Sequence, residues 1–349
     1  MSLPNTSIKL IKTAPDEDLS LSYFDITTVA TPSADNMDEN SILIRTLYLS
    51  CDPYQKGRVS AVFEGLPFAI NPGETMDGIG IGVVEASTSP DFQVGDVVSG
   101  VRILWQTRFI SKTEGFTKVP VDSKIRAVDH LGVLSMASFT GYVGLVVVGK
   151  PKEGETLLVS SAAGGVGQMV VQLAKARGMH VIATAGSDDK VEFVKSLGAD
   201  AVFNYKTCGD YTDAIKRYAP GGIDLYYDNV GGKFLDATIM NMKEYGRVVL
   251  CGMSSQYNLS REDRYGIKNM YDAIVRRISF YGYNVSDHYA KSEYQNFISE
   301  VSDLYRENKI KYKLFEIKGL ENAPQALLDL LDSKMYGKPI VNVSGDSDI

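Results

Sequence analysis

The stretch that most constrains the fold is an apolar strand followed by a glycine-rich turn and a helix. Residues 156–159 are leucyl or β-branched and precede Gly164-Gly165-Val166-Gly167, behind which Val170, Leu173 and Ala174 recur at helical spacing. The pattern Ser161-x-x-Gly164-x-x-Gly167 is a variant of the dinucleotide fingerprint, in which glycines let the backbone close on a pyrophosphate at a helix N-terminus. Ordinary tight turns contain similar glycine strings, so the pattern alone leaves both interpretations open.

Size and charge exclude several classes of protein. The 349 residues suggest two domains, and a net charge of -7 argues against binding to nucleic acid or to an anionic membrane. No stretch reaches the roughly 20 apolar residues of a membrane span, and residues 1–15 lack the apolar core of a secretion signal. We therefore expect a cytoplasmic protein, with the nucleus as an alternative. The widely spaced Cys51, Cys208 and Cys251 form no CxxC pair, which predicts free thiols.

The first third of the chain predicts a β-rich domain with a barrel or sandwich core. Turn residues separate short extended runs, at residues 20–29, 41–50, 78–85, 96–100 and 106–111. Residues 131–148 form an apolar, small-residue segment that predicts a helix, and the domain boundary is placed just before it. Strands and helices alternate after this helix, which is typical of a doubly wound parallel sheet. The further strands are predicted at residues 180–185, 201–204, 223–228, 247–253 and 278–285, and the helices at 188–197, 211–218 and 233–242.

The C-terminal residues break this alternation. A helix at 291–307 and strands at 311–317 and 337–343, with a short helix at 323–331, predict a return to the β-rich domain. The expected organisation is therefore 1–128 and 310–349 in one domain and 129–309 in a nucleotide-binding domain, with a cleft between them.

The end of the second predicted strand indicates which nucleotide is preferred. A NAD site places an acid there, whereas this chain has Gly186, followed by Ser187 and Lys190. A hydroxyl and a cation favour a 2′-phosphate, which predicts NADPH, and Tyr205 is expected to cover the adenine or touch the same phosphate. The alternative is that Lys190 is a solvated helix residue and Asp188 a helix cap.

Two further turns follow predicted parallel strands, where ligands of such sheets bind. Asn229, before Gly231 and Gly232, is predicted to bond a ribose or the nicotinamide; alternatively it is an ordinary turn asparagine. Cys251 and Ser254 follow the next strand and are predicted to line the same site, as is Tyr283 in the sixth strand.

The whole chain resembles the zinc-free branch of the medium-chain dehydrogenase/reductase superfamily that contains leukotriene B4 12-hydroxydehydrogenase, prostaglandin reductase and plant alkenal double-bond reductase. The matching motifs are Leu49-Ser50-Cys51-Asp52-Pro53-Tyr54, Gly73-Glu74-Thr75-Met76-Asp77-Gly78, residues 162–167, residues 185–190, Phe203-Asn204-Tyr205-Lys206, Tyr227-Asp228-Asn229-Val230-Gly231-Gly232 and Gly337-Lys338. The resemblance implies a GroES-like barrel, a Rossmann domain, NADPH, and a homodimer formed by pairing the sixth strands.

The resemblance also implies roles for individual residues. Lys190 and Tyr205 fall on the 2′-phosphate positions, Gly164 and Gly167 on the pyrophosphate turn, and Asn229 on a cofactor contact. Tyr54 falls on a tyrosine beside the nicotinamide and the substrate, which makes it the candidate catalytic residue.

Zinc is not expected. Catalytic-zinc relatives carry a His-Glu pair near the position of Gly73, whereas Glu74 follows a glycine here, and only His130, His180 and His288 are available as histidine ligands. Glu74 is therefore predicted to be structural.

Two positions depart from the family pattern. The tyrosine that enone reductases carry seven residues before the glycine of the sixth strand is Val275 here, with Tyr271 and Tyr265 nearby as substitutes, of which Tyr271 is the speculative catalytic choice. The family's cofactor-contacting asparagine before Gly-Lys is Met335.

The function predicted is NADPH-dependent reduction of the C=C bond of α,β-unsaturated aldehydes or ketones, with Tyr54 donating to the developing enolate. A quinone oxidoreductase and an NADP-linked alcohol dehydrogenase are alternatives with the same cofactor. A low-turnover NADPH-binding sensor or RNA-associated protein is an alternative from another class.

Overall fold

The computed structural model describes residues 4–15, 19–60, 65–66 and 68–345. It divides into two compact units, one formed by Met1–Leu131 with Leu314–Ile349 and the other by Gly132–Lys313. The predicted boundaries at 128/129 and 309/310 fall shortly before these two division points.

The strands in chain order are β1 Thr6–Leu10, β2 Phe24–Thr28, β3 Ser41–Ser50, β4 Asp77–Ser87, β5 Val97–Leu104, β6 Arg108–Lys112, β7 Phe116–Lys118, β8 Thr156–Val159, β9 His180–Ala185, β10 Ala201–Asn204, β11 Ile223–Asp228, β12 Met242–Leu250, β13 Ser279–Gly282, β14 Leu314–Lys318 and β15 Lys338–Asn342. The α-helices are α1 Tyr54–Arg58, α2 Met136–Tyr142, α3 Gly165–Ala176, α4 Asp188–Ser196, α5 Tyr211–Tyr218, α6 Gly232–Ile239, α7 Met270–Arg276, α8 Ser292–Arg306 and α9 Ala323–Leu331, and a π-helix spans Val143–Gly149.

The first unit is built on a seven-stranded sheet. Its strand order is β14-β15-β3-β4-β5-β7, with β6 also paired to β3, and a separate two-stranded sheet joins β1 to β2. The return strand β15 runs antiparallel to β3, with Ile340 opposite Ser50. The strands β14 and β15, which follow the second unit in sequence, therefore belong to this sheet.

The second unit contains a six-stranded sheet in the order β10-β9-β8-β11-β12-β13, with all five neighbouring pairs parallel. The strand order reverses between β8 and β11, the point outside whose carboxyl ends doubly wound sheets bind ligands. Most residues of β8, β9 and β11 in the middle of the sheet are buried, which is why the sequence shows apolar runs there rather than alternation, whereas the edge strand β13 is partly exposed. The predicted fold class, a Rossmann sheet with a β-rich domain, is confirmed.

The prediction of one continuous helix at residues 131–148 is wrong. The α-helix begins after Ser135, whose side chain accepts from Ser138 N, and it widens into the π-helix at Val143. Two tyrosine hydroxyls donate to the Thr140 carbonyl oxygen at this junction, Tyr283 at 2.8 Å and Tyr227 at 3.1 Å. Side chains from distant strands, which periodicity does not reveal, therefore bond the backbone at the point where the winding changes.

The bounds of three other elements also differ from the predicted bounds. Residues 21–23 form a 3-10 turn, so only Phe24–Thr28 is extended there. Strand β12 begins at Met242, before a register shift that includes Tyr245 at φ 59°. The strand predicted at 311–317 begins only at Leu314, because side-chain amides of α3 bond the backbone of residues 311 and 313.

Candidate functional site

Ser160 and Asn229 bridge the ends of β8 and β11, where the strand order reverses. Ser160 Oγ accepts from Asn229 N at 2.9 Å, and the Asn229 side-chain amide donates to Ser160 O at 2.8 Å. Ser160 is completely buried. These bonds fix the Asn229 side chain across the switch point; its predicted contact with the cofactor stays a prediction.

Asp228 organises the turn that follows β11. Its Oδ1 accepts from Tyr226 Oη at 2.6 Å and from Val230 N and Gly231 N at 2.9 Å each, while Ser160 Oγ lies 3.4 Å away. Burial raises the pKa of the Asp228 carboxyl, and these hydrogen bonds oppose the rise. Its Oδ2 is buried and has no hydrogen-bond partner among the described residues. One carboxylate oxygen thus holds the loop that carries Asn229.

The loop after β12 is bonded to that same turn. Cys251 N and Gly252 N donate to Asp228 O at 2.9 and 3.0 Å, and Ser254 N donates to Asn229 O at 3.1 Å. This parallel set of backbone bonds brings the predicted residues Cys251 and Ser254 next to Asn229.

The glycine turn after β8 has the shape that the fingerprint requires. Ser161 adopts φ 51° where the usual motif has its first glycine, and Gly164 caps α3 without a side-chain hydrogen bond. A Cβ atom on Gly167 would lie 2.5 Å from Ser161 O and 2.6 Å from Ala162 Cα, so the helix packs directly on the turn. The first turn of α3, which includes the predicted Gly165 and Val166, contains no acidic residue. Its exposed N–H groups and positive dipole end are suited to a pyrophosphate.

Helix α3 is anchored from its other side. The side-chain amide of Gln168 pairs with the N–H and C=O of Lys313, at 2.7 and 3.2 Å, and that of Gln172 pairs with those of Lys311, at 2.8 and 2.7 Å. Tyr312 Oη donates to Gly165 O at 2.9 Å. The side-chain amides of these two glutamines thus bond the backbone of residues 311 and 313 as a neighbouring strand would. Together with Tyr312, they hold the start of α3 in place.

Gly186 follows β9, and the hydroxyl end of Tyr205 lies close to where a side chain on residue 186 would begin. A Cβ atom on residue 186 would lie 2.9 Å from Tyr205 Oη. Any side chain at this position would therefore require the Tyr205 ring to shift. Ser187 caps α4 by accepting from Lys190 N at 3.4 Å, so the cap is Ser187 and not Asp188. Asp188 instead accepts from the Asn204 amide at 3.0 Å.

Lys190 and Lys206 lie close enough for their positive charges to interact. Burial lowers the pKa of Lys190, and the charge of Lys206 lowers it further. Lys206 was not predicted as a site residue, although it stands next to Tyr205 in the Phe-Asn-Tyr-Lys motif; its N–H donates to Asn204 Oδ1 at 3.0 Å. Two ammonium groups that repel one another would be relieved by an anion between them.

Tyr283 and Cys251 meet at the ends of β13 and β12. The Tyr283 hydroxyl lies 2.7 Å from that of Tyr227, and both lie against the Cys251 thiol, whose pKa burial raises. The hydroxyl of Tyr283 is thus engaged with the Thr140 carbonyl and its neighbours. Cofactor contacts of Tyr283 and Cys251 stay predictions.

Tyr54 belongs to the first unit, where it opens α1. Its side chain is 37% exposed, while the backbone of Ile79 bonds its hydroxyl. Burial of the hydroxyl, with the charge of Asp52, raises the pKa of Tyr54 above its ordinary value, against the opposing effect of Arg58. The phenol is therefore protonated at neutral pH and can donate a hydrogen bond.

Of the two departures from the family pattern, Val275 is exposed on α7 and Met335 is half-buried after α9. Tyr271 lies in the first turn of α7 and is 74% exposed. The Tyr265 hydroxyl donates to Asp236 Oδ2 at 2.8 Å. A catalytic role for Tyr271 stays a prediction, without a supporting contact in the described part of the chain.

The described residues contain no group of three or more His, Cys, Asp and Glu placed to hold a metal ion. Glu74 Oε2 accepts from Asn71 N at 2.9 Å, so Glu74 closes a turn. No helix within the described ranges is long and apolar enough to cross a membrane.

Comparisons with known proteins find oxidoreductases that are similar to most of this chain. A family described as zinc-binding dehydrogenase matches residues 165–303, and one described as the N-terminal domain of oxidoreductase matches residues 9–119. The chain is 40% identical over 306 residues to the NADP(+)-dependent 2-alkenal reductase of Nicotiana tabacum, covering 87% of this chain and 88% of the relative. It is 38% identical over 306 residues to (+)-pulegone reductase of Mentha piperita, with the same two coverages. The crystal structure of CurA from Vibrio vulnificus in complex with NADPH superposes with a TM-score of 0.87 at 33% identity, covering 98% of this chain and 100% of that one.

We predict that Gly167→Ala destabilises the second unit by about 1–3 kcal/mol. The added methyl group would overlap backbone atoms of Ser161 and Ala162, which cannot rotate out of the way as a side chain can. Urea unfolding measures the loss. Gly164→Ala is the matched control, since its Cβ atom would lie 3.4 Å from Ser161 O. Equal losses in the two variants would contradict this account of the turn.

Proposed function

The chain belongs to the zinc-independent medium-chain dehydrogenase/reductase family of NADP-dependent oxidoreductases, and from this membership we propose that it reduces the C=C bond of α,β-unsaturated aldehydes or ketones with NADPH. The choice of reaction is supported by two relatives, the 2-alkenal reductase and the pulegone reductase, whose names give α,β-unsaturated carbonyl compounds as substrates.

The observation that carries the choice of cofactor is the end of β9. Gly186 leaves this strand end without an acid, and Lys190 and Lys206 lie close enough for their positive charges to interact. An acid there would bind the ribose hydroxyls of NAD, whereas two cations attract the 2′-phosphate of NADPH. The uncapped first turn of α3 would hold the pyrophosphate.

The chain's own residues supply orientation and charge stabilisation. NADPH, when bound, supplies the hydride that the reduction needs. Addition of hydride at the β-carbon places negative charge on the substrate's carbonyl oxygen, and the α-carbon then takes up a proton. The protonated Tyr54 hydroxyl is suited to donate to that oxygen, where a hydrogen bond strengthens as the charge develops.

A substrate panel tests the reaction. We expect purified enzyme to consume NADPH with 2-alkenals and enones, to leave the carbonyl group in the saturated product, and to react more slowly with NADH. Product analysis by mass spectrometry and NMR identifies the reduced bond. Turnover with quinones alone, or oxidation of alcohols with NADP, would favour the two enzyme alternatives. Tight binding of NADPH without turnover on any substrate would favour a sensor.

The two lysines test the choice of cofactor separately. Lys190→Ala and Lys206→Ala should each raise the KM for NADPH by about tenfold or more, because each removes a charge-assisted contact to phosphate. The KM for NADH should change little. Lys195→Ala is the control, since Lys195 lies on α4 as well and pairs with Glu192 in solvent. Equal changes in the two KM values would remove the lysines from the 2′-phosphate site.

We also propose that two copies pair through β13. This strand is the edge of the six-stranded sheet, and Tyr281 and Gly282 within it are exposed. Sedimentation velocity should give twice the monomer mass, and Tyr281→Lys should give monomers because like charges then face each other at the strand edge. A wild-type monomer at micromolar concentration would exclude this dimer.

A further inference from the structure

Asp52 and Lys338 lie in two of the family motifs without a role of their own in the proposed reaction, and the structure joins them. Lys338 opens β15 and Asp52 follows β3, and the Lys338 ammonium donates to Asp52 Oδ1 at 2.5 Å and to Cys51 O at 2.6 Å. The two side chains are 3% and 5% exposed. This is a buried ion pair between residues 286 positions apart.

The same carboxylate binds the turn on its other side. Asp52 Oδ2 accepts from Ser50 Oγ at 2.5 Å, and Asp52 N donates to Gln55 Oε1 at 2.9 Å. Cys51 N donates to Pro339 O at 3.2 Å, and Gln55 N donates to Asp52 O at 3.1 Å. Bonds therefore hold the turn both before and after Tyr54, while Pro53 and Tyr54 are exposed between the buried Asp52 and Gln55.

Because the ion pair is buried, Asp52 and Lys338 have little freedom to separate. A buried carboxylate without its cation is strongly disfavoured, so Asp52 must stay at the Lys338 ammonium. Asp52 precedes Tyr54 by two residues, and its carbonyl accepts the bond that starts α1. The place and direction of the Tyr54 side chain consequently depend on a cation contributed by the last strand of the sheet.

We propose that Lys338 is a positioning residue for Tyr54, acting through Asp52 and the turn at residues 50–55. The proposal rests on the role of Tyr54 in the proposed function. A positioning role differs from a purely stabilising role in one respect. If Lys338 positions Tyr54, its loss should affect catalysis only through Tyr54.

A double-mutant cycle separates the two roles. Tyr54→Phe and Lys338→Met should each lower kcat for a 2-alkenal on the order of a hundredfold, as loss of a donor to a developing oxyanion does. The double variant should fall no more than about twofold below the lower single variant, because non-additivity marks residues that act as a unit. The KM for NADPH should stay unchanged. Losses that multiply, or an undiminished kcat in Lys338→Met, would overturn the proposal.

Two further variants keep the test interpretable. Lys118→Met removes a more exposed ion pair with Asp96 in the same unit and should leave kcat unchanged. If Lys338→Met does not fold, Ser50→Ala replaces it in the cycle, since it removes one hydrogen bond to Asp52 and leaves the ion pair. A smaller loss of kcat that disappears in the Tyr54→Phe background supports positioning, and a loss that persists there overturns it.

A spectroscopic readout separates this proposal from the proposed function. The full chain with 3-fluorotyrosine at position 54 should show a shifted or broadened 19F resonance in Lys338→Met but not in Lys118→Met. A Tyr54→Phe enzyme with normal kcat would overturn the catalytic role of Tyr54 alone, and the resonance then decides the positioning claim. An unchanged resonance in Lys338→Met would overturn that claim.

Discussion

The loops at the strand ends of the second unit depend on one carboxylate. Asp228 is fully buried at the end of β11, and its Oδ1 collects hydrogen bonds from the strand before it and from the loop after it. Its backbone carbonyl then receives Cys251 and Gly252 from the next strand end. Burying a carboxyl group is costly, and the donors around it offset that cost only when the loops are in place. The loops that carry Asn229 and Cys251 are thus set by the requirement to satisfy Asp228.

The residues after β9 and β10 form the proposed 2′-phosphate site. Tyr205 Oη lies close to where a side chain on residue 186 would begin, and the charge of Lys206 adds to the effect of burial in lowering the pKa of Lys190. We propose that the absence of an acid at position 186 and the two positive charges together give the preference for a phosphate, since specificity comes from rejecting one group as well as from attracting another.

The helix that begins at the glycine turn is held by polar contacts as well as by packing. Gln168 and Gln172 are buried, which would be unfavourable without partners, and residues 311 and 313 supply a donor and an acceptor to each. Fully satisfied amide pairs of this kind fix register as well as adding stability. They also prevent residues 311–313 from extending β14, which explains the late start of that strand.

The sequence by itself determined the parallel sheet and the glycine turn, because apolar periodicity and glycine spacing are local properties. It also placed Gly186 and Lys190 at one strand end. It did not reveal the π-helix, the Gln168 and Gln172 pairs, the contribution of Lys206 or the burial of Asp228. Those features depend on side chains that meet from distant positions, as Thr140 meets Tyr283 and as Lys338 meets Asp52. Tertiary structure decided them because the cost of burying a polar group can be assessed only once its partner is known.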